Sequence, residues 1–180
     1  PDFGEWELRQ GLTAIVNGNC GLSAAPLSGP HREELRRYLA PITGDAGEAD
    51  FPALGDYFRR CGRLPLHAGQ LIGMGTLRAN AAGFRPGPLT AAESAAIRSA
   101  LERALADGAL GVSLGLGYAP ESYETTEELI ALLAPLRRSG VVISVHMRQE
   151  GDGVEAALAE MLTVARALET PVEISHLKAI

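Results

Sequence analysis

The chain has 180 residues, of which 46% are hydrophobic and 21% charged, and its formal net charge is −6. This is the balance of a globular protein with a substantial core, one that buries about 70% of its unfolded surface. The negative charge and scattered arginines exclude the basic footprint of a nucleic-acid binder, and no apolar run approaches the roughly 20 residues of a membrane span.

Strand-like and helix-like patterns alternate along the chain. Thr13-Ala14-Ile15-Val16 predicts a first strand, ending in the loop Asn17-Gly18-Asn19-Cys20-Gly21. Helices are predicted over about 31–39 and 52–61, the second carrying Cys61 as a small buried hydrophobe. Residues 70–75 read as a second strand, followed by a Gly/Pro-rich loop over 83–88. Thr90 with Glu93 forms a capping box, and the helix it opens aligns Ile97, Leu101 and Leu105 on one face. Residues 110–116 read as a third strand. Thr125 with Glu128 is a second capping box, ahead of Leu129, Leu132, Leu133 and Leu136. A fourth strand covers 141–145. Asp152 and Glu155 then open a helix expected to turn Val154, Leu158, Met161, Leu162 and Ala165 inward, and 172–175 is the fifth strand.

Strands separated by helices run parallel, because each crossover returns the chain in the same direction. Two α/β architectures suit that pattern: an open doubly wound sheet, or a (β/α)8 barrel. A barrel takes about 250 residues, so five strands would leave it unclosed. The chain begins with Pro rather than Met and stops directly after a strand, so both ends look cut. No linker or second-domain pattern interrupts residues 1–180. The start has neither the basic nor the apolar region of a secretory leader. Two cysteines are too few for a disulfide framework, and a cytoplasmic chain with both thiols reduced is expected.

The histidines carry the functional signal. His146 closes the fourth strand and His176 closes the fifth, 30 residues later, so neighbouring imidazoles fall on one rim. In parallel α/β folds that C-terminal rim is where active sites form. Cys20 also follows a strand. Two imidazoles and a thiolate suit zinc, with a fourth position left for water, a site fit for amide hydrolysis. A lone strand-end His is ordinarily structural, and a lone Cys a buried hydrophobe; the equivalence of two His positions is what argues for ligands. His31 and His67, beside polar loops, are expected to face solvent.

Five segments taken together resemble a known family. They are Asn17-Gly18-Asn19-Cys20-Gly21-Leu22-Ser23-Ala24-Ala25-Pro26, Gly75-Thr76-Leu77-Arg78, Gly115-Leu116-Gly117-Tyr118-Ala119-Pro120, His146-Met147-Arg148-Gln149-Glu150 and Ile174-Ser175-His176-Leu177-Lys178. In order and spacing they are similar to the N-acyl-D-amino-acid deacylases, or D-aminoacylases, of the amidohydrolase superfamily. The resemblance implies a partial (β/α)8 TIM-type metal-dependent hydrolase barrel, roughly strands 2 to 6, truncated at both ends. Residues 1–180 would be the central part of that one domain. It implies zinc-dependent hydrolysis of N-acyl-D-amino acids, small-molecule substrates, to a carboxylate and a D-amino acid. Cys20 would replace the carboxylated lysine that bridges two metals in many relatives. Cys20, His146 and His176 would hold one tightly bound Zn2+, with a second metal position possible. Tyr118 and Lys178 would contact the substrate carboxylate.

By the same resemblance a His-x-His pair lies before Pro1, and the general-base aspartate, with a carboxylate-binding arginine, lies beyond Ile180. No catalytic residue is then expected within the chain. Met74 stands where the family usually has a histidine, and Val145 replaces a small residue. A cyclic amidohydrolase, dihydroorotase-like or hydantoinase-like, is the alternative activity, but it normally uses the bridging lysine and the only lysine here is Lys178. A third reading is a non-catalytic metal-binding piece whose open barrel edges self-associate or take up a partner segment.

Overall fold

A computed structural model describes residues 4–44 and 47–178. Its strands are β1 (Ala14–Asn17), β2 (His67–Gly73), β3 (Gly111–Gly115), β4 (Val142–His146) and β5 (Val172–Ile174). They form one sheet in the order β1-β2-β3-β4-β5, and every pairing is parallel. A doubly wound sheet reverses its strand order at a switch point. Here each strand lies beside its predecessor throughout, which is the winding of a barrel wall.

The helices are α1 (Glu5–Arg9), α2 (Arg32–Thr43), α3 (Leu54–Cys61), α4 (Met74–Ala82), α5 (Ala91–Ala106), α6 (Thr126–Leu132) and α7 (Val154–Leu168). Both expected capping boxes form: Thr90 and Thr125 accept from the N–H of Glu93 and Glu128, whose carboxylates accept in return. α6 is short because Pro135 follows it, and the chain continues as a 3-10 turn over Ala134–Leu136.

Side chains alternate across the sheet. Ile72, Val112, Leu114, Ile143 and Val145 face the helices and pack with Ile97, Leu101, Leu129, Leu132, Met161 and Val164 in one fully buried cluster. The other face carries Leu71, Ser113, Ser144, His146 and Glu173 in register. Among the described residues, helices cover only the first face. On the second, Val16 and Leu110 converge over Gly69 and remain 49% and 54% exposed.

Several expectations are corrected. The strand expected over 70–75 starts earlier, at His67, and ends at Gly73. Met74-Gly75-Thr76-Leu77-Arg78 instead begin α4, and all five are buried. A helix enclosed on every side has no amphipathic period, so its sequence looked like strand and loop. α2 runs on through Pro41 to Thr43. α7 has Gly153 at its N-cap and no side-chain cap from Asp152. Leu162, expected inward, is 54% exposed, and Ala157 and Val164 take the buried positions. α1 was not foreseen. His67 is exposed as expected, whereas His31 is half-buried at the N-cap of α2. Cys61 is half-buried at the end of α3. Among the described residues, no helix is long and apolar enough to cross a membrane.

Candidate metal centre and active site

The loop after β1 turns because Gly18 and Gly21 adopt φ of +82° and +73°. Ser113 of β3 pins it: its hydroxyl donates to the Gly18 carbonyl and accepts from the Gly21 N–H at 3.0 Å. The Gly21 carbonyl accepts from the N–H of Thr76 in α4. Between the glycines, Cys20 is itself held at φ +55°, and His176 lies at φ +37°. Left-handed backbone is costly for such residues and persists only where the surroundings impose it, often at functional sites.

His146 ends β4, and its main chain pairs with Gly115 of β3. His176 sits in the turn after β5. The ligand atoms of Cys20, His146 and His176 all lie within 4.8 Å of one another. Cys20 Sγ is 3.6 Å from His176 Nε2, and His146 Nδ1 is 3.0 Å from that same nitrogen. Tetrahedral zinc with Zn–S about 2.3 Å and Zn–N about 2.0–2.1 Å sets S and N about 3.5 Å apart, and two N about 3.3 Å apart. The donor set and its spacing therefore fit zinc. Burial pushes the Cys20 thiol up and lowers His146, keeping that imidazole in the neutral form a metal ligand requires.

These donors come from opposite ends of the sheet. In a flat sheet, strands one and five would stand about 19 Å apart at 4.8 Å spacing. Their meeting requires the sheet to curl, and it does so toward the face bearing His146.

Tyr118 and Lys178 flank the trio, each with a partner. The Tyr118 hydroxyl donates to the Cys20 carbonyl, and its ring lies 5.0 Å from that of His146. Burial pushes its phenol up. Lys178 Nζ is 2.6 Å from Glu150 Oε2. Glu150 Oε1 is 2.9 Å from His176 Nδ1, and the Lys178 ammonium holds the Glu150 carboxyl below its usual range. Met74 is fully buried, as is Val145 on the helix-facing side of β4.

Sequence reasoning gave no role to three groups around the site. Glu150, four residues past a strand-end His, carried no signal beyond its place in the resemblance. Glu121 is fully buried beneath the Cys20 loop and accepts from the Gly115 N–H at 2.9 Å. Burial and the neighbouring Glu124 push its carboxyl well above the ordinary range. Arg78 and Glu124 form a buried ion pair at 3.4 Å. A cavity of about 430 Å³ lies between β1 and α2, lined by Leu22, Leu39, Phe51 and Tyr57 among others; none of the three donors lines it.

No family model matches the chain. Over 178 residues it is 36% identical to a D-aminoacylase of Alcaligenes xylosoxydans xylosoxydans, covering 97% of this chain and 36% of that protein. A crystal structure of D-aminoacylase, described as defining a novel subset of amidohydrolases, superposes with a TM-score of 0.80 at 35% identity, over 96% of this chain and 36% of the other. The N-acyl-D-glutamate deacylase of Bordetella bronchiseptica, solved with zinc and a phosphonate mimic of the tetrahedral intermediate, gives a TM-score of 0.81 at 33% identity, over 97% and 36%. The chain spans about a third of the length of the relatives it matches. The order of the segments, the winding of the sheet and these likenesses agree: over nearly its whole length the chain is similar, in sequence and in structure, to about a third of the D-aminoacylase and N-acyl-D-amino-acid deacylase amidohydrolases.

Proposed function

We propose that the protein carrying this chain hydrolyses N-acyl-D-amino acids to a carboxylate and a D-amino acid, using zinc held by Cys20, His146 and His176. The observation that carries this reading is the convergence of those three donors, within 4.8 Å, on the C-terminal rim of a parallel sheet. Bound zinc would polarise the scissile carbonyl and lower the pKa of a coordinated water. Cys20 would supply the one negative ligand, and the His ligands would remain neutral.

Lys178 would bind the substrate carboxylate. Its ammonium has three N–H donors and uses one on Glu150, which leaves two for an anion. The Tyr118 hydroxyl, which donates to the Cys20 carbonyl beside the donor trio, would be the second contact of that carboxylate. The aspartate that moves the proton would come from outside this chain, and residues 1–180 would form the central part of one barrel domain. No lysine other than Lys178 occurs, which weighs against a lysine-bridged cyclic amidohydrolase. Reduced Cys20 and Cys61 suit a cytoplasmic setting, and the outer edges of β1 and β5 suit self-association or a covering segment.

The test is to purify the protein with zinc, measure its metal content, and assay N-acyl-D- and N-acyl-L-amino acids. D-selective release of amino acid, lost with Cys20→Ala, is expected. Zinc-loaded protein that cleaves no N-acyl-D-amino acid would overturn the proposal.

A further inference from the structure

We infer that Glu150 is the positioning residue of this centre: one carboxylate orients the metal ligand His176 and fixes the substrate-binding cation Lys178 relative to it. This rests on the function proposed above, and it assigns a role to a residue outside the ligand set.

The geometry is a closed triangle. Glu150 Oε1 lies 2.9 Å from His176 Nδ1, Oε2 lies 2.6 Å from Lys178 Nζ, and Nζ lies 3.4 Å from that same Nδ1. The other ring nitrogen of His176, Nε2, is the one facing Cys20 and His146. An imidazole that offers the Nε2 lone pair to a metal carries its proton on Nδ1. Glu150 Oε1 is buried, makes no hydrogen bond to any described group, and stands 2.9 Å from Nδ1 but off its N–H direction. Turning the imidazole to aim that N–H at Oε1 satisfies the orphaned oxygen, and the bond would then fix both the tautomer and the ring plane. The backbone gives a second reason for an anchor. His176 occupies left-handed space at φ +37°, a conformation its own local preference does not hold.

The second oxygen links metal site to substrate site. Lys178 is two residues beyond His176, on a long flexible stem with 43% of its side chain exposed. An unrestrained ammonium there would sample many positions. Tied to Oε2, it stands at a set distance from the ring whose far nitrogen faces the donor cluster. The carboxylate of a substrate and its scissile carbonyl are a fixed number of bonds apart, so the cation and the metal must be spaced to match. Glu150 sets that spacing because it touches both sides.

A purely structural surface ion pair would behave differently, being worth about 0–1 kcal/mol and leaving the metal untouched. The experiment compares wild type, Glu150→Gln, Glu150→Ala and Lys178→Met in the intact protein. Zinc affinity is read by competition with a chromophoric chelator, and ligand geometry by the spectrum of the cobalt-substituted form. Glu150→Ala is expected to weaken zinc binding 10–100-fold, as loss of such a carboxylate partner does elsewhere. Glu150→Gln, whose amide oxygen still accepts from Nδ1–H, is expected to lose less. Lys178→Met leaves zinc affinity unchanged. At saturating zinc, Glu150→Ala and Lys178→Met both raise KM more than they lower kcat, and the double variant raises KM no further than Lys178→Met alone.

Wild-type zinc affinity and an unchanged cobalt spectrum in folded Glu150→Ala would overturn the inference. So would a Lys178→Met that weakens zinc as much as Glu150→Ala, and so would a wild type that binds no zinc. If zinc binding falls as expected but no N-acyl-D-amino acid is cleaved, the orienting of His176 stands and the proposed substrate fails.

Discussion

Alanine at Gly21 would test how the Cys20 loop is held. Gly21 is buried at φ +73°, and a Cβ there would drive into the Glu121 carboxylate and stand 2.7 Å from the Gly115 backbone nitrogen. Left-handed backbone costs a non-glycine residue about 1–2 kcal/mol. The steric part adds about 1–3 kcal/mol, as overpacking does, because one obstacle is a strand backbone and the other a fully buried side chain. Gly21→Ala should therefore destabilise by about 2–5 kcal/mol. Gly29 supplies the control: its φ is +72°, yet it is exposed and nothing lies within 4 Å of its added Cβ. Gly29→Ala should cost only the backbone part, about 1–2 kcal/mol. Urea unfolding of both variants at one pH isolates the steric difference. If Gly21→Ala costs no more than Gly29→Ala, the packing of Glu121 under this loop has been misread.

Three further outcomes are expected. Zinc at 100 times its Kd should raise unfolding free energy by about 2.7 kcal/mol over chelated protein, and Cys20→Ala should abolish that increment; calorimetric scans that coincide with and without zinc would refute it. Arg78→Met removes the partner of buried Glu124 and, measured well above pH 7 where that carboxyl is ionised, should cost about 3–5 kcal/mol, much of it recovered in Arg78→Met/Glu124→Gln; equal stability of single and double variants in urea would contradict this. Glu124 is raised by burial from 4.5 to about 7, so the folded state keeps a proton that the unfolded chain releases. Its contribution is full below about 4.5 and declines as pH rises through about 7. Unfolding free energy of wild type minus that of Glu124→Gln should fall over this window, and a flat or rising difference would refute the assignment.

The strand-end ligands could be read from sequence because strand and ligand adjoin. Val-Ile-Ser-Val-His puts a β-branched run directly before an imidazole, and the next repeat does the same. Cys20 was weaker evidence alone, since a thiol after a strand is commonly just packed. Only the fold shows that the loop after the first strand meets the turn after the fifth. Met74 and its neighbours misled because a helix buried on all sides has no polar face to reveal its period. Glu150, Glu121 and Arg78 stayed hidden for a different reason. Isolated acids and arginines read as solvated surface, and their roles come from partners such as Lys178 at 28 positions' remove and Glu124 at 46. Charge type is local in sequence, whereas burial and pairing are properties of the packed molecule.

The curl of the sheet has a mechanical consequence. Cys20 and His176 are 156 residues apart and follow its two outermost strands, β1 and β5. An ion gripping both would tie the loop after β1 to the turn after β5, resisting any splaying of the rim. Pulling β1 away from β5 would then mean breaking metal–ligand bonds rather than sliding apolar surfaces. Amide exchange should register this as slower opening at the rim ends of β1 and β5 when metal is added, with β3 in the middle little changed.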